Sequence, residues 1–176
     1  MTLRRAAAVL AAALLLAACA SVPRAPLGGE PPLAGRLAIK VESEPPRNLS
    51  AAFELEGDAQ RGRLALTSPL GTTLGEATWA PGQAQLKSGS EQRDYADLDD
   101  LAEQALGERI PLAALFHWLR GRPWPDAPSQ PLPGGEPGFT QAGWRISLAR
   151  RAEGWVEARR EAAPVVTVRA RLDAPL

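Results

Sequence analysis

From residue 35 onward the chain alternates apolar and polar side chains with a period of two, in short runs broken by turn residues. No other feature constrains its fold as much. Arg36-Leu37-Ala38-Ile39-Lys40-Val41 places Leu37, Ile39 and Val41 on one face. Ala51, Phe53 and Leu55 alternate with Glu54 and Glu56, and Leu64 and Leu66 alternate within residues 61–68. Segments 73–80, 83–88 and 92–95 continue the pattern between turns such as Gly57-Asp58 and Pro81-Gly82. It resumes at 144–151, 155–160 and 165–172. Short strands joined by tight turns predict a mainly β protein, an antiparallel meander that curls into a barrel-like sheet.

The middle has a different period. Asp97 is placed to cap a helix starting at Leu98, with Asp99, Asp100 and Glu103 near its positive end. Leu98, Leu101, Ala102 and Ala105 then share a face. Pro111 opens a second helix at the tolerated first position, Gly121 ends it, and Leu112, Leu115, Phe116 and Leu119 form one stripe. Two short amphipathic helices beside a curved sheet would cover or enter its concave face. Residues 122–137, rich in Pro and Gly, read as an irregular connection.

Length and charge remove most other classes. At 176 residues the chain has the length of one domain, with or without a tail. Its 20 Lys+Arg balance 20 Asp+Glu, which argues against a nucleic-acid partner needing a basic face. One Cys and one His exclude an internal disulfide and His-pair or multi-cysteine metal sites. His117 lies opposite the apolar stripe of its helix and reads as solvated. Asp94, Asp97, Asp99 and Asp100 lack EF-hand spacing, and capping accounts for them. Ser68, Ser88 and Ser90 have no nucleophile-elbow context, and no glycine stretch takes the phosphate-loop form. Without a catalytic constellation the expectation is not an enzyme, and no cofactor.

The N-terminus stands apart from the domain. Arg4 and Arg5 precede a 13-residue apolar run, Ala6 to Ala18. As a helix it would span about 20 Å, short of the ~30 Å hydrocarbon core. It reads as a secretory signal. The run ends Leu16-Ala17-Ala18-Cys19, which resembles the lipobox of bacterial lipoproteins, whose cysteine is lipidated and becomes the new N-terminus. Ordinary cleavage after Ala20, leaving a plain thiol, is the other reading. Ala20 is not the Asp that typically retains lipoproteins in the inner membrane, so the lipobox resemblance implies the outer membrane, on its periplasmic face. The expected organisation is a signal at 1–18, a lipidated Cys19 with a Pro-rich tether through 34, and a domain over 35–176.

Between two of the expected strands lies Ser68-Pro69-Leu70-Gly71. Ser first, Pro second and Gly fourth suit a type I turn, which places Leu70 third, at the hairpin tip, where a polar residue is usual. Leu70 either lies back on the sheet or protrudes; the pattern leaves both open.

Gly35-Arg36-Leu37-Ala38-Ile39, Leu64-Ala65-Leu66-Thr67-Ser68-Pro69-Leu70-Gly71, Ile110-Pro111-Leu112 with Trp118-Leu119-Arg120-Gly121, and Gly143-Trp144 occur in an order and spacing that resemble the LolB family across about residues 35–150. That family comprises outer-membrane receptors of bacterial lipoprotein sorting. The resemblance implies an incomplete antiparallel β-barrel, a half-barrel, with short helices covering an apolar cavity. It implies transfer of lipoproteins from the soluble periplasmic carrier LolA to the outer membrane, with acyl chains sheltered in the cavity. It also implies that Leu70, held by Pro69 and Gly71, protrudes as a membrane-insertion loop. The expected cavity residues are Leu37, Ile39, Phe53, Leu64, Leu66, Leu112, Leu115, Phe116 and Leu119. Family members usually carry an amphipathic helix before the first strand, for which the Pro-rich segment here leaves no room. A monomer is expected, lipid-anchored and without nucleic acid. An outer-membrane lipoprotein of structural or assembly role, binding a protein partner with its half-barrel, is the alternative.

Overall fold

The computed structural model describes residue 27 and residues 30–174. The expected signal peptide, Cys19 and most of the tether lie outside them. The strands are β1 (Leu33–Val41), β2 (Arg47–Gly57), β3 (Gly62–Thr67), β4 (Thr73–Ala80), β5 (Gln83–Ser88) and β6 (Glu91–Tyr95), then β7 (Ser129–Pro131), β8 (Gly138–Gln141), β9 (Trp144–Ser147), β10 (Trp155–Arg160) and β11 (Val166–Leu172). Helices α1 (Leu98–Leu106) and α2 (Leu112–Leu119) separate β6 from β7. All eleven strands form one sheet in the order β6-β5-β4-β3-β2-β1-β11-β10-β9-β8-β7. Every ladder is antiparallel. Strands β6 and β7 end the sheet without pairing each other, so the barrel is open.

Alternation sets the two faces. In β1, Leu33, Ile39 and Val41 are buried while Ala34, Arg36, Ala38 and Lys40 are exposed. In β11, Val166, Val168, Ala170 and Leu172 are buried and Arg169 and Arg171 exposed. The two sets meet across the β1–β11 ladder, Ile39 opposite Val168 and Leu37 opposite Ala170. One continuous apolar face results, and the curvature makes it concave.

The helices occupy that concavity. Asp97 caps α1, its side chain accepting from the Asp100 backbone N–H, and Gly107 closes the helix in a left-handed conformation at φ 73°. Phe116 of α2 stacks on Trp79 of β4 at 5.1 Å. Trp118 of the same helix meets Trp144 of β9 at 5.8 Å. Thus α2 joins the two wings of the sheet through its own side chains. Among the described residues no helix is long and apolar enough to cross a membrane.

Several local expectations need correction. Pro111 is the N-cap of α2 rather than its first helical residue. Burial of α2 is not confined to one stripe, because Ala114 and Trp118 are buried beside Leu112, Leu115, Phe116 and Leu119. Its two flanks face two wings of sheet. Ala105 is exposed, since an open cleft separates the last turn of α1 from β1 and β2. The strand expected through residue 151 stops at Ser147. The supposedly irregular 122–137 contains β7. Pairing in β1 begins at Leu33, two residues before the expected domain start.

Candidate functional site

The expected cavity residues divide into two groups. Ile39, Phe53, Leu112, Leu115, Phe116 and Leu119 are buried in the main core cluster. Leu37, Leu64 and Leu66 are only partly buried against it, as are Leu49 and Leu86. The ladders give each of the three its neighbours. Leu37 lies between Ala51 and Ala170, Leu66 between Phe53 and Gly75, and Leu64 between Leu55 and Ala77. These three leucines form a wall on the concave face that is incompletely covered, whereas the α2 side chains Leu112, Leu115, Phe116 and Leu119 are buried.

At the end of the barrel formed by the β1–β2 turn, an apolar cleft of about 180 Å³ opens between Ile39, Val41, Leu49 and the last turn of α1 at Ala105 and Leu106, with Arg47 and Asn48 at its border. A larger hollow of about 670 Å³ over β4–β6 is bordered by Thr78, Gln83, Gln85 and Asp94 and contains none of the expected cavity residues. The smaller cleft has the lining that an alkyl chain needs; the larger one is polar.

The β3–β4 hairpin forms at the same end of the barrel. The Gly71 N–H donates to the Ser68 carbonyl at 2.9 Å, closing the turn, and the Ser68 N–H donates to the Thr72 carbonyl at 2.8 Å. The Ser68 hydroxyl accepts from the backbone N–H of Leu70 at 3.3 Å and of Thr72 at 3.1 Å. Gly71 has φ 85°, a conformation open to glycine at little cost. Ser68, Pro69 and Gly71 thereby fix the backbone on both sides of Leu70, which is 94% exposed. A leucine side chain buried fully would gain about 1.5–3 kcal/mol, none of which the fold collects here.

Two polar knots were not anticipated from the sequence. Gln141, only 2% exposed, accepts at Oε1 from Trp118 Nε1 and the Trp124 backbone N–H, each at 2.8 Å. Its Nε2 donates to the Trp124 carbonyl at 2.8 Å and the Ala127 carbonyl at 2.7 Å. One amide thus pins the Pro-rich connection to α2. Arg120, just beyond α2, donates to the carbonyls of Phe116, Pro31 and Gly57. It also pairs with Glu30 at 3.3 Å, and Arg122 pairs with the same carboxylate. The chain is therefore held to the fold from Glu30, inside the expected tether. Buried Gln and Arg side chains carry no periodic signal, so only the Trp118-Leu119-Arg120-Gly121 motif hinted at either knot.

The residues weighed for catalysis do not converge. His117 is half-buried rather than solvated, and burial, then Arg122, hold its imidazole below the usual range. Asp97 and Asp100 serve the α1 cap, with the Asp100 carboxylate also accepting from the Ala96 N–H. Among the described residues no group of three His, Cys, Asp or Glu could hold a metal ion.

The family model described as Outer membrane lipoprotein LolB matches residues 32–165. Named relatives agree. The outer-membrane lipoprotein LolB of Bordetella petrii is 39% identical over 146 residues, covering 77% of this chain and 73% of its own. That of Cupriavidus metallidurans is 33% identical over 175 residues, covering 93% and 84%. That of Chromobacterium violaceum is 29% identical over 153 residues, covering 82% of each chain. The family match takes in ten of the eleven strands, both helices and the Leu70 hairpin, and ends just before β11. The chain therefore belongs to the LolB family, outer-membrane lipoproteins of lipoprotein localization, which are receptors and not enzymes.

Proposed function

We propose that this protein receives acylated lipoproteins from a LolA-type periplasmic carrier and releases them into the outer membrane. It stands on the periplasmic face of that membrane through acyl chains on Cys19. The leucine wall of Leu37, Leu64 and Leu66, with the cleft at Ile39, supports the sheltering of a substrate's acyl chains. Each methylene kept from water is worth about 0.8 kcal/mol, so the chains must pass from one apolar surface to the next without crossing solvent. Such a handover needs apolar area in sequence, with no covalent step and no cofactor.

The observation that carries the reading is Leu70, held rigidly at a hairpin tip and 94% exposed. A side chain fixed outward at no gain to the fold suits insertion into lipid. The alternative structural role would need an apolar sheet edge. The free edges instead offer Glu91, Gln92, Arg93 and Asp94 in β6 and the three exposed residues of β7.

The test is two-stage transfer of a radiolabelled lipoprotein, from carrier to this protein and then to liposomes. Leu70→Glu should accept cargo normally and fail to deliver it, because a carboxylate resists entry into acyl chains by several kcal/mol. Its melting temperature should not change, and Leu70→Phe should deliver. Normal delivery by the Glu variant would remove the insertion role, and failure of the unaltered protein to accept cargo would remove the whole reading.

A further inference from the structure

The exposed large apolar side chains among the described residues are Leu27, Leu70 and Leu74. The last two share the β3–β4 hairpin. Leu74 is displaced for a backbone reason: Leu66 pairs with Gly75, but the next residue, Thr67, pairs with Thr73. Leu74 is thus an additional residue in β4, a bulge, and bulges re-aim side chains. It is 38% exposed, three residues beyond Gly71. The bulge is secured from the next hairpin, where the Ser88 hydroxyl donates to the Leu74 carbonyl at 2.8 Å.

The two hairpin tips themselves carry no charge. Residues 67–75 contain no titratable side chain, nor do Ser88, Gly89 and Ser90 at the tip of the adjoining β5–β6 hairpin. In a chain that is 23% charged, these twelve positions would ordinarily hold about three charges. The nearest ones border the tips: Glu76 beside Lys87 across the β4–β5 ladder, and Glu91 opposite Ser88. A protein partner usually meets polar and charged groups around an apolar centre. Hydroxyls, glycines and two leucines without charge fit the boundary between lipid headgroups and acyl chains. At the same end of the barrel, the β1–β2 turn carries Glu42 and Glu44. Glu42 is paired with Lys40, and the exposed Glu44 carboxylate disfavours contact with lipid on that side.

We propose that the membrane contact has two points: Leu70 enters the acyl region, and Leu74, positioned by its bulge, seats at the headgroup boundary and fixes the angle of the hairpin. This rests on the reading of Leu70 as an insertion residue. In the full chain carrying Cys19→Ser, the only thiol is one introduced by Leu70→Cys, Leu74→Cys or Glu44→Cys. Each variant is labelled with an environment-sensitive fluorophore and mixed with vesicles of phosphatidylglycerol and phosphatidylcholine brominated at shallow or deep acyl positions. Deep bromines should quench the probe at 70, shallow bromines the probe at 74, and neither the probe at 44. Quenching at 70 but not 74 would overturn the second contact and leave the first intact. Quenching at neither position would overturn both. Independently, Leu74→Ser should weaken vesicle binding of the unlabelled protein about three- to tenfold without lowering its melting temperature; unchanged binding would also refute the proposal. A probe at 74 that responds to the carrier and not to vesicles would assign the residue to a protein contact and refute it too.

Discussion

Replacing Gln141 by Met removes four hydrogen bonds while nearly keeping side-chain volume, so the change isolates polar satisfaction from packing. The Trp118 indole N–H is left with no partner in a residue that is 0% exposed, and an orphaned buried donor costs about 1–3 kcal/mol. The Trp124 N–H and the Trp124 and Ala127 carbonyls also lose their partner. These three belong to a half-exposed connection that can shift toward water, so each costs only a fraction of that amount. The total is about 3–4 kcal/mol, or roughly 10 °C in melting temperature for a domain of this size. Thermal unfolding followed by circular dichroism reads the first quantity. Limited proteolysis reads the second, since residues 122–137 should become the first cleavage site. A fall under about 1 kcal/mol with an unchanged cleavage pattern would show that the knot follows from the fold rather than holding it.

Cys19→Ala should yield an unprocessed or soluble species that does not label with palmitate, with the domain's melting temperature unchanged; normal labelling would refute the lipid anchor. Phe116→Ala removes the stack on Trp79 and should cost about 3–5 kcal/mol by urea denaturation, against under 1 if the concavity closes over the gap. His117 is pushed below its ordinary 6.5 by burial first and then by Arg122 and Arg120, against the opposing pull of Glu30 and Asp126. The unfolded chain therefore binds the proton first. The His117 contribution to stability is complete above pH 6.5 and is lost as pH falls from there toward the lower folded value. His117→Gln should accordingly flatten the decline in melting temperature between pH 7.5 and 5, and a steeper decline would contradict the sign.

Strands β4 and β5 are legible to the residue, because clean alternation is bracketed there by the Pro81-Gly82 turn and the Ser68–Gly71 turn. The α1 start is equally plain, since a capping Asp leads directly into an apolar period. Strand β7 is hidden because Pro131 lacks the N–H of a central strand and is tolerated only at an edge, which is where β7 lies. Ala105 misleads because helical spacing says which residues share a face, not how closely the opposing surface approaches them. Leu37 and Phe53 occupy equivalent places in the pattern, yet one is half open and the other packed. Leu37 is flanked in the ladder by Ala51 and Ala170 and Phe53 by Gly35 and Leu66, neighbours from other strands that no period encodes. Leu70 shows the converse, for its turn chemistry is local and readable, whereas its outward direction depends on the whole hairpin.

The β1–β11 ladder has a consequence for the chain as it is made. Every other ladder joins strands adjacent in sequence, but this one closes a span of 125 positions, from Val41 to Val166. During synthesis the β1–β6 wing can assemble hairpin by hairpin, yet β1 then remains a nine-residue unpaired edge until the last strand arrives. Non-local closure of this kind is slow, and an open edge is a template for another chain. Arg36 and Lys40 on that strand give partial protection through charge. A chain cut short before β11 would accordingly associate edge to edge rather than persist as half a barrel. The final strand acts as the stopper that ends the molecule's capacity for self-templating.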